Sequence, residues 1–160
     1  VRSNERLYVN TIRFLRDKGL HWASRCVNTD RCTTPLECAI LALKECLNGI
    51  AIVGIDPGSQ AGLALTVNNI LVYSWEGPME EVISMVVRLS DFIDVVITGK
   101  GWGREFEGKV PRVIEVEESS TSKTKVKFPQ RVGKHARAAY LIALRKPITS
   151  LRGYKAGKKS

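Results

Sequence analysis

Three groups of residues in this chain have the types and spacing to do chemistry. The first is Asp56-Pro57-Gly58, which closes an apolar run from Ile50 to Ile55. A carboxylate at the tip of a buried strand, turned at once by Pro-Gly, is left at the sheet edge where a ligand can reach it. Asp, Pro and Gly also favour turns, so Asp56 alone reads equally well as the start of a turn. The second group is Gly99-Lys100-Gly101-Trp102-Gly103-Arg104. Glycines let a backbone approach phosphates, Lys100 and Arg104 can pair with them, and Trp102 can stack on a base. A surface loop with Trp102 folded onto the core would carry the same residues.

The third group is a charge asymmetry. Residues 1–118 hold 13 Lys/Arg against 16 Asp/Glu, a net −3, whereas residues 119–160 hold 12 Lys/Arg and no acid. A run of 42 residues without one acid is long for a solvated basic face, and it points to a polyanion partner. Lys123, Lys125 and Lys127 alternate with small hydroxyl residues, and Arg131, Lys134 and Arg137 continue into a helical segment. Arg152, Lys155, Lys158 and Lys159 punctuate a Gly-spaced tail of the kind that orders on a polyanion, with RNA the favoured one.

Other chemistries find less support. The cysteines, at 26, 32, 38 and 46, show none of the two-to-four-residue gaps of a zinc site. Buried free thiols are expected, with disulfides an option only for a hyperthermophile-like interior. His21, beside Trp22, is given no role. With 44% apolar and 26% charged residues, the 160-residue chain can form an ordinary core as one domain. No apolar run approaches the ~20 residues of a membrane span and no signal peptide opens the chain, so an intracellular, cytoplasmic protein without a membrane partner is expected.

The elements that must position these residues follow from periodicity. Residues 4–18 carry Leu7, Tyr8, Thr11, Ile12 and Leu15 on one helical face, and Gly19 stops the helix. Residues 23–33 read as a polar loop. Thr34-Pro35-Leu36-Glu37 is a capping box opening a helix to about Leu47, which buries Leu36, Ile40, Leu43 and Leu47. Strands are expected at 50–55, 62–67 and 70–75, the last two joined by Asn68-Asn69 and the third broken by Gly77-Pro78. An amphipathic helix at 79–90, strands at 95–98 and 112–117, and a helix at 133–144 complete the order. This divides the chain into a helical appendage (1–49), an α/β domain (50–146) and a basic tail (147–160).

Gly54-Ile55-Asp56-Pro57-Gly58, with Gly62 four residues on, resembles the first strand of the RuvC-type Holliday-junction resolvases and their YqgF relatives. The likeness is strong over residues 50–67 and weaker, in the right order, to about residue 146. It implies a ribonuclease-H-like mixed five-stranded sheet flanked by helices. It also makes Asp56 the first carboxylate of a two-metal phosphodiesterase site, which takes Mg or Mn on hard oxygen ligands. The same resemblance asks for an acid ending strand four and for Asp pairs, or His and Asp, in the last helix. Strand four instead runs into Thr98-Gly99-Lys100, and His135-Ala136-Arg137-Ala138-Ala139 has Ala138 where the second carboxylate belongs. Lys100 and Arg137 put cations where metals would sit. The reading is therefore a degenerate nuclease, without a cofactor, that binds structured nucleic acid within a ribonucleoprotein such as a ribosome. The alternative is an active Mg- or Mn-dependent structure-specific endonuclease with Asp56, Glu117 and His135 as a rebuilt site.

Overall fold

Capping chemistry sets the N-terminal helices. Thr34 Oγ1 accepts the Glu37 N–H at 3.2 Å, and Pro35 takes the first helical position, where its missing N–H costs nothing. The Glu37 carboxylate turns back one residue further than a strict capping box, accepting the Thr33 N–H at 2.8 Å and its hydroxyl at 3.0 Å. So begins α2, Pro35–Leu47, which ends at Asn48 in the left-handed region with φ 47°. Before it lies α1, Arg2–Asp17, stopped at Gly19 with φ 74°. The helix α1 packs on α2 from its middle onward: Thr11 and Leu15 are buried, whereas Tyr8, expected on the same face, is 47% exposed.

The computed structural model describes residues 2–117 and 132–146, and the chain divides into two units, one of residues 1–49 and one starting at Ile50. Two expectations for the first unit are corrected. Residues 23–33 are not open loop but lie largely in two 3-10 turns, His21–Cys26 and Thr29–Arg31. The cysteines are not free thiols: Cys26 is bonded to Cys46 and Cys32 to Cys38, with Cα atoms 5.9 Å and 5.3 Å apart. Starting α2 at Pro35 brings Cys38 back over Cys32, and the 3-10 turns bring Cys26 to the end of α2. A unit this small buries little apolar surface, and cross-links supply what its core does not.

The second unit is an α/β domain around a five-stranded mixed sheet. Its strands are β1 (Ala51–Asp56), β2 (Gln60–Val67), β3 (Ile70–Pro78), β4 (Val95–Gly99) and β5 (Arg112–Val116), in spatial order β3-β2-β1-β4-β5. The first three form an antiparallel meander, its β2–β3 turn made by Asn68 and Asn69 at φ 48° and 70°. Strand β3 runs on through Gly77-Pro78 instead of breaking there. It is an edge strand, so Pro78 withholds its absent N–H from no outer neighbour. Helix α3, Met79–Arg88, crosses over so that β4 and β5 lie parallel to β1. Buried Asp94 pins the entry to β4, its carboxylate accepting the Ala51 N–H at 2.7 Å.

Helix α4, Lys134–Ala143, lies across one sheet face. Ile52 and Ile97 meet Ile142 and Ala143 there, and Ala64 and Leu71 meet Ala139 and Tyr140. Two glycines make the approach possible. A Cβ on Gly54 would strike the Ala139 carbonyl and come within 2.6 Å of the Ala143 nitrogen, and one on Gly62 would strike the His135 carbonyl. Alternation turns Val53, Ile55, Leu63 and Leu65 to the other face, where they are equally buried.

Candidate functional site

The close seat of α4 on Gly62 decides what stands beside Asp56. Register pairs Asp56 of β1 with Gly62 of β2, and Gly62 with Glu76 of β3, so the two carboxylates flank the glycine in one row on the α4 face. The first turn of α4 sits over that row. His135 Nδ1 lies 3.2 Å from Asp56 Oδ2, with 31% and 22% of the two side chains exposed. The pair is within reach of solvent at the carboxyl end of β1.

Glu76, which carried no motif, is the site residue the sequence reading missed. The N-cap of α4 is Gly133, which has no side chain to offer, and Glu76 Oε2 accepts the Ala136 N–H at 2.8 Å in its place. A Cβ on Gly133 would come within 2.5 Å of that carboxylate, so the glycine makes room for a cap delivered from the sheet. A lone Glu on an edge strand facing the start of a helix was the available signal, but it depends on knowing that β3 and α4 meet. Further along, Tyr140 donates its hydroxyl to the Asn69 carbonyl at 2.8 Å, and burial pushes its pKa up.

The other sequence-expected residues are dispersed. The next step of the β1–β4 register sets Gly99 beside Asp56, and Gly99 in turn faces Val116. No side chain stands where an acid ending strand four would. Glu117 does not join Asp56 and His135: its carboxylate lies 3.5 Å from exposed Lys100, and its carbonyl accepts Arg145 Nη1 at 2.7 Å. Ala138 is half-buried one turn past His135. Lys134 and Arg137 are exposed on α4. Lys123, Lys125, Lys127, Arg131, Arg152, Lys155, Lys158 and Lys159 lie outside the described residues.

The loop after β4 is held against its own domain. Phe106 is fully buried, and Glu115 of β5 accepts the backbone N–H of Gly103 at 2.7 Å. That bond, with the nearby Gly101 amide and the charges of Lys100 and Arg104, holds the Glu115 carboxyl below its ordinary pKa. The Gly103 amide thus already serves a carboxylate of its own domain, while Lys100 and Arg104 are exposed and Trp102 is half-buried. A cavity of about 260 Å³ opens beside this loop, lined by Glu107, Arg112 and Glu115 among others, with neither Asp56 nor His135 on its walls.

A two-metal centre needs several hard oxygen ligands converging about 4 Å apart. Here Asp56 is paired with an imidazole, Glu76 is spent on a helix amide, and Glu117 is paired with Lys100. Among the described residues no three of His, Cys, Asp and Glu gather as a ligand set. The residues present do not fit such a centre. No helix among the described residues is long and apolar enough to cross a membrane. No protein-family model, curated protein or solved structure matches the chain significantly.

Proposed function

We propose that the chain is a ribonuclease-H-like nucleic-acid-binding protein, of the RuvC type, whose nuclease site is degenerate. RNA is its favoured partner, and a ribonucleoprotein such as a ribosome is its setting. The observation that carries the reading is the row Glu76, Gly62, Asp56 across β3, β2 and β1: one carboxylate bonded to His135, one capping α4, and, one step past the Ile55–Thr98 pair, glycine at 99 where a further acid would be needed. The 12 cations and absent acids of residues 119–160 support a polyanion partner. A cytoplasmic home belongs to the same proposal, and its two disulfides then suit an interior of the hyperthermophile kind.

The test is a salt titration of binding to a labelled RNA stem-loop and to a DNA four-way junction. With six to eight of the cations on phosphates, the log–log slope should be about −5 to −7, with RNA bound more tightly. A slope shallower than about −2 would make the basic third a solvated face and end the proposal.

A second reading has one observation in its favour, the solvent-reachable Asp56–His135 pair. It is an Mg- or Mn-dependent endonuclease acting on junctions or flaps with Asp56 and His135 at its site, and Glu117 would have to leave Lys100 to join them. Metal-dependent cutting by the unmodified protein, lost in Asp56→Asn, would promote it over the first.

A further inference from the structure

One face of α1 carries a ridge of arginines, bordered on its two flanks by exposed Glu5 and Asp17. At about 100° per residue, Arg6, Val9, Arg13 and Arg16 fall within an arc of about 80°. All four are exposed, on the side of the helix opposite buried Thr11 and Leu15. Arg6 and Arg16 are ten residues apart in the helix, so the ridge is about 15 Å long at 1.5 Å per residue. That length lets three guanidinium groups hold separate phosphates. Val9, 52% exposed at the centre, puts no carboxylate between them.

The ridge is a poor solubility device. Solvated helix faces intersperse both signs and favour Glu placed four residues before Lys or Arg. Here Arg13 and Arg16 are like charges one turn apart, and Asp17 follows Arg13 at i+4, the weaker order for a helical ion pair. None of the three arginines is bound to a carboxylate among the described residues. The choice of cation matters too. Six of the eight Lys/Arg in residues 1–49 are Arg, whereas Lys leads eight to four in residues 119–160. Arg offers a planar fork that matches phosphate oxygens two at a time, which Lys does not.

We infer that Arg6, Arg13 and Arg16 on α1 form a second nucleic-acid contact, holding a sugar–phosphate backbone by forked hydrogen bonds. This rests on the reading above for the class of partner, and adds a contact in the N-terminal unit that the basic C-terminal third does not supply. RNA and DNA share the phosphate chemistry, so both are probed.

The experiment uses the full chain with a fluorescently labelled RNA stem-loop and a DNA duplex of equal length. The variant R6Q/R13Q/R16Q changes only exposed side chains, and its circular dichroism and Tm should match the unmodified protein. It should bind about tenfold more weakly at about 50 mM salt, with a log–log slope flatter by about 2–3. The variant R6K/R13K/R16K should keep the slope and lose part of the affinity, since charge remains and the fork is gone. Full affinity and slope in the Gln variant would overturn the inference. The companion variant K123Q/K125Q/K127Q separates the two readings: weakening there but not on α1 removes the ridge and keeps the first reading, and the converse keeps the ridge alone. Binding of neither probe by the unmodified protein overturns both. Poly-glutamate should not displace the RNA at equal charge, and displacement would assign the ridge to an acidic protein instead.

Discussion

Glu76 shows how one side chain can fix the position of another that it does not touch. By accepting the Ala136 N–H it anchors the first turn of α4, and that turn carries His135 to Asp56. Glu76→Ala should leave that amide without its cap and cost about 1–2 kcal/mol in urea unfolding, with a shift of the His135 ring resonances in NMR. Glu76→Gln keeps an acceptor and should cost less. Glu115 gives a pH prediction. Its folded pKa is lowered from an ordinary value of 4.5 by the amides of Gly103 and Gly101. Its contribution to stability is therefore present above that ordinary value and is lost as pH falls through the lower folded value. Tm followed from about pH 6 to about pH 2 should decline less steeply in Glu115→Gln, which titrates no carboxyl at this position.

At the scale of elements, α4 is held by glycines beneath it, and the first unit by its cross-links. Gly54→Ala would push a methyl into the Ala139 carbonyl and the Ala143 backbone, which cannot yield as a flexible side chain would. A loss of about 3 kcal/mol is expected, read as a lower urea midpoint at unchanged m. Gly62→Ala meets the His135 backbone and should also dislodge the imidazole from Asp56. In the N-terminal unit, Cys26 and Cys46 close a loop over a sequence separation of 20. Replacing both by Ser should cost about 3 kcal/mol, and the shorter Cys32–Cys38 link about 2 kcal/mol. Native protein left unreduced should resist alkylation at all four cysteines, and labelling there would contradict the pairing.

For the whole molecule, the proposed function separates binding from cutting. Asp56→Asn should leave nucleic-acid affinity unchanged or slightly raised, because it removes a negative charge close to where phosphates would lie. The same change would abolish cutting in an active nuclease, since a neutral amide is a poor ligand for a hard cation. No cleavage of junctions, flaps or RNA–DNA hybrids is expected from the unmodified chain with magnesium or manganese, assayed on gels. Ala138→Asp would add a carboxylate one helical turn from His135, and a gain of manganese binding by calorimetry would show how near the present geometry stands to a metal site.

Patterns that repeat within a few residues were enough to place the α-helices and strands, though not the 3-10 turns of residues 21–31 or the extension of β3 to Pro78. The apolar run before Asp56, the Asn68-Asn69 turn, the Thr34 cap and the amphipathic helices each encode local structure. Their order carries the α/β sheet with α3 between β3 and β4. The departures at Gly99 and Ala138 were legible for the same reason, since each is a missing side chain at a position that register or helical spacing specifies. What lay beyond reach was every partner chosen across the fold. Glu76 caps a helix 60 residues away, Glu115 takes the loop amide of Gly103, and Cys26 finds Cys46 only once the 3-10 turns fold back on α2. Lys100 meets Glu117 because β4 and β5 run parallel and end side by side. Hydrogen bonds and disulfides depend on distances of a few ångströms between segments remote in the chain, and those distances come from packing rather than from any local pattern.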